Sequence, residues 1–330
     1  MIDTSPPRSL SLTVTVQPTQ IARTRLALLP CLCLLVGAAQ LACSPKRIAL
    51  RSVADGLSSG TGGSFARDDD PALVRDAIPF ALKTMEALAD QLDDHAGLRL
   101  ALAAGFTQYG YAFVAQEADE LESKDPAHAK ELRARARKLY LRARDYGLDG
   151  LRIARGIELP ALRGGEASRD ALLLLTQKED VPLLYWTLVP WAAAIAADTR
   201  DLELVGDLPL LAALLDRALL LDESFDGGAL HEFSLAFDGA RAGGTTKEKR
   251  QAHYARALVL GQGQRLSAKV SWAESQLVAS QDRKGFEALL GEVLAFDVSD
   301  PKVRSHRLAN LIAQRRARYL LARVEDLIAD

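Results

Sequence analysis

From about residue 66 onward, apolar positions recur with the 3.6-residue period of helices rather than the alternation of strands. The stretch PALVRDAIPFALKTMEALADQL puts Leu73, Ala77, Phe80, Ala81, Met85 and Leu88 on one stripe. GLRLALAAGFTQYGYAFVAQEADEL follows with Leu98, Leu102, Phe106, Tyr109 and Phe113. AHAKELRARARKLYLRARDYGLDGLRI is charged on one face and carries Leu139, Ala143, Tyr146 and Leu151 on another. No stretch alternates with period two between turn residues. The fold class predicted is all-α.

The helices also repeat. LLDRALLLDESFDGGALHEF, HYARALVLGQGQRLSAKVSWAES and LLGEVLAFDVSDPKVRSHRLAN share a small or β-branched residue before a leucine, then an apolar residue before a turn. Aligning Leu219, Leu258 and Leu294 gives spacings of 39 and 36 residues, close to the ~34 of a tetratricopeptide repeat. KLYLRARDYGL reads as a degenerate copy. Residues 66–330 are therefore expected to form a single tetratricopeptide-like helical-repeat domain, an α-α superhelix whose helix pairs bury their apolar faces only against neighbours.

The N-terminal segment has a different pattern. Arg23 and Arg25 precede an apolar run, Leu26–Ala42, that ends in QLAC. Positive charge, an apolar stretch and small residues before a cysteine mark a secretory signal. QLAC resembles the bacterial lipobox, with Gln40 where a leucine-like residue is usual. Residues 1–42 then form a lipoprotein signal peptide, and Cys43 is the lipid-attachment residue and mature N-terminus. Ser44 in second place fits the outer membrane. An uncleaved membrane anchor and a free secreted protein are the other readings; the run is short for a span and contains Pro30. Residues 43–65 are expected to hold the lipidated end, a short helix around Ile48–Leu57 and a Gly/Ser tether, SSGTGGS.

Composition narrows function by exclusion. The net charge is −2, and removing residues 1–42 makes it −4, which gives no basic surface for nucleic acid. All three cysteines (Cys31, Cys33, Cys43) lie in the first 43 residues, so the body has no disulfide, thiolate zinc site or thiol nucleophile. His95, His128, His231, His253 and His306 form no i, i+4 pair, and no GxSxG occurs. His95 and His128 fall at turns or helix starts. No catalytic residue, metal ligand or cofactor is assigned.

Four features stand out as candidate ligand or partner surface. In EDVPLLYWTLVPWAAAIAADTRDL, Tyr185, Trp186 and Trp191 crowd beside Pro190, which removes a helical hydrogen bond. This stretch is either helix core or one wall of a concave or tunnelled groove. Phe106 and Tyr109 pose the same choice. In the basic C-terminal helix, Asn310 and Gln314 flank an apolar stripe, as surface or as buried polar contacts, and the arginines either pair with nearby acids or meet an acidic partner or headgroup. In ARDDDPALVRDAIPF, Asp70 before Pro71 is suited to cap a helix. Asp68 and Asp69 are then surplus and available as a docking edge; in a weaker reading, Asp68–Asp70 together serve an enzyme site.

The blocks FARDDDPALVRDAIPFALKTMEAL, ALAAGFTQYGYAFV, RARKLYLRARDYGLDGL, VPLLYWTLVPWAAAI, GALHEF, VSWAESQLVASQDRKGFEALL and RLANLIAQRRARYLLAR run in order from Phe65 to Arg323. Together they resemble the T-component family associated with TRAP (tripartite ATP-independent periplasmic) transporters. Trp272 stands where tyrosine is expected. The resemblance implies a non-enzymatic periplasmic lipoprotein with tetratricopeptide-like repeats. Its implied partner is the transporter's solute-binding subunit, with an apolar or organic-acid ligand passing between them. An outer-membrane scaffold for envelope assembly is the alternative, and self-association into a homo-oligomer stays open.

Overall fold

Asp-Pro steps start three of the helical segments. In each, proline occupies the first turn, where its missing N–H costs nothing, and the aspartate accepts a free backbone N–H. Asp70 accepts from Ala72 and Leu73 at 3.0 and 3.1 Å. Asp125 accepts from His128 at 3.0 Å and Asp300 from Lys302 at 2.9 Å.

The computed structural model describes residues 45–60, 63–240 and 245–329. Its longer helices are α1 (Pro45–Gly60), α2 (Pro71–Ala89), α3 (Ala96–Tyr109), α4 (Gln116–Leu121), α5 (Pro126–Arg155), α6 (Glu166–Leu173) and α7 (Val181–Ala197). They continue with α8 (Leu208–Asp222), α9 (Ala229–Ala240), α10 (Lys247–Gly261), α11 (Ser267–Trp272), α12 (Arg283–Ala295) and α13 (Arg307–Ala322). Two π-helical turns interrupt the series, Gly110–Ala115 and Ala273–Leu277. Among the described residues there is no strand. The fold is all-α.

Leu50–Asp330 forms one compact unit; of the other, Met1–Ala49, only the residues from Pro45 are described. The expected signal peptide and Cys43 thus lie outside the described residues. The expected tether is partly helix, since α1 runs on through Ser58–Gly60. Nor is that helix held apart from the body. Ala54 is fully buried in the first core, and Asp55 meets His95 at 3.0 Å. His95 also caps α3, accepting the Leu98 N–H at 3.0 Å.

Apolar side chains gather in three cores. The first joins α2, α3, α4 and α5, the second joins α5, α7, α8 and α9, and the third joins α11, α12 and α13. The second takes in α7, whose stretch Lys178–Ala197 is long and apolar enough to cross a membrane, with 56% of it buried. Ala218, Ala257 and Val293 are buried beside half-buried Leu219, Leu258 and Leu294, a local likeness at the three aligned positions. Gly147 sets the spacing of α5 and α7. A Cβ there would lie 2.9 Å from the Thr187 Cα and 2.4 Å from its Oγ1.

Two expectations need correction. In α2 the buried face carries Val74, Leu82, Met85, Glu86 and Ala89, while Leu73 is 59% and Phe80 80% exposed. The apolar stripe is wider than the face that packs, and the polar Glu86 lies inside it. Burial raises the Glu86 carboxyl, but hydrogen bonds from Lys83 and Tyr146 and the charge of Arg142 outweigh it and hold it low.

Contacts are also not confined to neighbours. From α13, Ile312 enters the first core while Ala313, Ala317 and Leu320 enter the third. Arg315 grips Glu120 with two hydrogen bonds, at 2.7 and 2.6 Å, and donates to the Ala112 carbonyl at 3.2 Å. Arg316 pairs with Asp119 at 2.7 Å and with Glu274. The C-terminal arginines therefore serve internal acids, and the last long helix closes back onto the first ones.

Candidate functional site

The acidic triplet divides its work. Asp70 caps α2, and Asp68 accepts the Asp70 N–H at 2.8 Å. Asp69 is exposed and lies 3.6 Å from Arg307. These carboxylates point apart, and among the described residues no three His, Cys, Asp or Glu side chains are grouped to hold a metal ion.

Several candidate surface residues lie inside the body instead. Phe106 and Tyr109 belong to the first core, and Trp191 is fully buried in the second. Helix α7 turns Trp191 inward because its neighbours Leu184, Leu188 and Ile195 make the buried side. Asn310 and Gln314 are buried pins. Asn310 accepts the Leu266 N–H at 3.1 Å and donates to the Gln264 carbonyl at 2.9 Å. Gln314 donates to the carbonyls of Val293 and Phe296 at 3.0 and 2.9 Å, holding the end of α12.

Tyr185 and Trp186 have a different setting. Both are half-buried and meet edge to face at 4.9 Å, and Tyr185 also packs on Phe225 at 5.3 Å. Burial pushes the Tyr185 phenol up, and the carboxylates of Glu232 and Asp226 add to this against Arg265. Tyr111, on the first π-turn, is 47% exposed. Its phenol is nonetheless pushed up to about 12, chiefly by desolvation, with Glu274 and Glu232 adding and Arg316 opposing. Tyr111 is thus a ring that solvent reaches and that surrounding protein also desolvates.

Glu232 links the two ends. It influences both Tyr111 and Tyr185, and burial raises its own carboxyl against the pull of Arg265 and Ser267. Ser267 donates to it at 2.7 Å. Beside it an enclosed cavity of about 60 Å³ is lined by Glu232, Arg265, Lys269, Phe296 and three glycines, Gly227, Gly261 and Gly263. At the far end the Gln116 carboxamide is buried with no partner at hydrogen-bond distance among the described residues, and it lies near enough the Tyr111 phenol to lower it. The two π-turns, a local form often found at functional positions, supply Tyr111 and Glu274, with Arg316 between them.

Two further features lie apart from these residues. An open groove of about 530 Å³ is lined by Lys138, Leu141, Arg142, Asp145, Tyr146 and Asp149. His231 Nδ1 meets His253 Nδ1 at 2.8 Å, and its Nε2 meets Glu223 at 3.2 Å. Burial lowers the His231 pKa despite Glu223, so a neutral imidazole is favoured there. The two histidines are 22 positions apart on separate helices, a proximity no spacing rule reveals.

Comparison with known proteins settles the family. The TRAP transporter T-component family matches residues 67–328. The chain belongs to this family. An uncharacterized protein of Treponema pallidum (strain Nichols) is 29% identical over 304 residues, which is 87% of this chain and 94% of that protein. The family is that of a transporter accessory component. In this T-component the match begins at Arg67, next to the acidic triplet, and takes in both π-turns, Glu232 and α13.

Proposed function

We propose that this T-component is a non-enzymatic periplasmic lipoprotein, anchored through Cys43 to the outer membrane. It docks the solute-binding protein of a TRAP transporter and holds an apolar or organic-acid ligand in its interior concavity. The observation that carries the ligand reading is Tyr111, half-exposed yet desolvated. Tyr185, Trp186 and Phe225 supply the apolar wall, and Arg265 and Glu232 the few polar groups that such pockets use for orientation. Asp69 at the start of α2 and the exposed Phe80 on the same helix offer a mixed acidic and apolar outer edge for the partner.

Co-purification tests this reading. The full chain, tagged at its C-terminus and crosslinked in cells, should capture the solute-binding protein of a TRAP transporter. A Cys43→Ala variant should leave the membrane fraction. Repeated capture without any solute-binding protein would remove the docking claim, and membrane retention of Cys43→Ala would remove the lipid anchor.

A further inference from the structure

The Arg265 guanidinium is only half used. Its Nη1 donates to the Asp226 carbonyl at 2.6 Å and pairs with the Asp226 carboxylate at 2.8 Å. Its Nη2 stands 3.6 Å from Glu232, too far for a hydrogen bond. Nε has no protein acceptor among the described residues. The Nε–Nη2 edge is the side of a guanidinium that receives an oxyanion with two parallel hydrogen bonds. Arg265 is 17% and Glu232 21% exposed at the side chain, so solvent reaches both.

A cavity that Arg265 and Glu232 both line is of a matching size. A single water needs roughly 10–15 Å³ of such space, so the cavity of about 60 Å³ admits a carboxylate head. Gly227 and Gly261 pack against the aliphatic stem of Arg265, where a Cβ on either would come within 3.3 and 3.8 Å of its Cδ and Cβ. Phe296 lines the same cavity and offers a ring to the body that follows.

Charge sets a condition on entry. Arg265 already faces two carboxylates, so an arriving third must meet a neutral Glu232. The charged and titratable neighbours of Glu232 are few. Asp226 comes from the turn before α9 and Arg265 from the loop between α10 and α11, and Lys269 of α11 is already paired with Glu292 at 2.8 Å. Tyr111 and Tyr185 face it as neutral phenols. His306 lies near Arg265 and Asp226, and Glu274 acts on Tyr111 from the second π-turn. His231, on the same helix, is engaged with His253 and Glu223. Burial raises Glu232, which makes it the group most easily neutralised.

We propose that Arg265 and Glu232 form a proton-linked anion gate, in which the carboxylate of an organic ligand takes the open edge of Arg265 while Glu232 accepts one proton. This rests on the ligand reading above and adds the anchoring residue and its regulation.

The probe is 3-phenylpropionate, titrated into the full chain by calorimetry, with 3-phenylpropylammonium as its cationic counterpart. The carboxylate should bind about tenfold more tightly per unit fall in pH while Glu232 is charged, with uptake of one proton read from buffers of different ionisation heat. Glu232→Gln should bind more tightly at neutral pH and lose that dependence, whereas His306→Gln should keep it. Arg265→Met should lose binding by tenfold or more, with helicity and thermal midpoint checked in each variant.

Weaker binding by Glu232→Gln, a pH dependence that survives in it, or preference for the ammonium would each overturn the gate. If neither probe binds any form while the solute-binding protein is still captured, the gate and the ligand reading fail and the docking reading stands. Loss of capture with carboxylate binding intact would do the reverse.

Discussion

Replacing Trp191 by alanine should destabilise the protein by about 3–5 kcal/mol, the cost of emptying a large aromatic site in a packed core. The indole is fully buried in the second core, among Leu184, Leu188 and Leu211, and the Arg144 guanidinium lies 5.4 Å from its ring centre. Neighbours on α5, α7 and α8 relax only in part around such a gap. The thermal midpoint should fall on the order of 10 °C. Trp186→Ala, at a half-buried ring on the concavity wall, should cost clearly less and alter ligand binding instead. Equal midpoints for the two variants would mean that Trp191 is not the core residue described.

Arg316→Ala should open the closure between the two ends of the helical body. Its guanidinium is nine-tenths buried and pairs with Asp119 and Glu274, contributed by α4 and the second π-turn. Removing one partner of a buried pair leaves the other charges uncompensated, which costs 3–5 kcal/mol in well-buried cases. Asp119 and Glu274 keep 30% and 39% exposure, and Asp119 retains Arg133 at 3.2 Å. The expected loss is therefore about 3 kcal/mol, at the lower end of that range. Denaturant unfolding measures it. Hydrogen exchange should rise in α4 and α13 first, since these are the elements that the pair ties together. Arg200→Ala, at an exposed arginine beside Asp198, should leave stability unchanged. An Arg316→Ala protein as stable as the Arg200→Ala control would show that the apolar contacts of Ile312 and Leu308 close the body unaided.

The helical class was legible because period and caps agree. The stripe Leu98, Leu102, Phe106, Tyr109, Phe113 is buried throughout, and each Asp-Pro step starts a helical segment. Which side of α2 would pack was not legible. Leu73 and Phe80 fit the period as well as Val74 and Met85 do, and only the position of α3 decides between them. The closure by α13 was hidden because Arg316 and Asp119 are 197 residues apart.

The site was half legible. Tyr185 and Trp186 stand out in the sequence as a crowded aromatic pair and are half-buried, but the same crowding includes Trp191, which the helix turns into the core. Tyr111, Glu232, Glu274 and Arg316 lay within the blocks ALAAGFTQYGYAFV, GALHEF, VSWAES and RLANLIAQRRARYLLAR. They carried no signal of their own, because a lone tyrosine or glutamate on an apolar helix has no distinctive spacing. The π-turns that aim Tyr111 and Glu274 widen a helix by one residue, and no residue pattern announces them. Arg265 sits in the GQGQRLS turn, where an arginine ordinarily reads as solvated.

The ligand reading depends on an interior space around Tyr111 that solvent reaches but does not fully hydrate. Ring-labelled tyrosine NMR measures both properties at once, with Tyr111→Phe to assign the resonance. A soluble paramagnetic reagent should broaden the Tyr111 signal, since the ring is 47% exposed. At about pH 10.5, where an ordinary tyrosine is largely ionised, the same phenol should remain protonated, its pKa being near 12. Ionisation near pH 10 would place Tyr111 on an open outer face. Protection from the reagent would place it in a packed core, and either result contradicts the concavity.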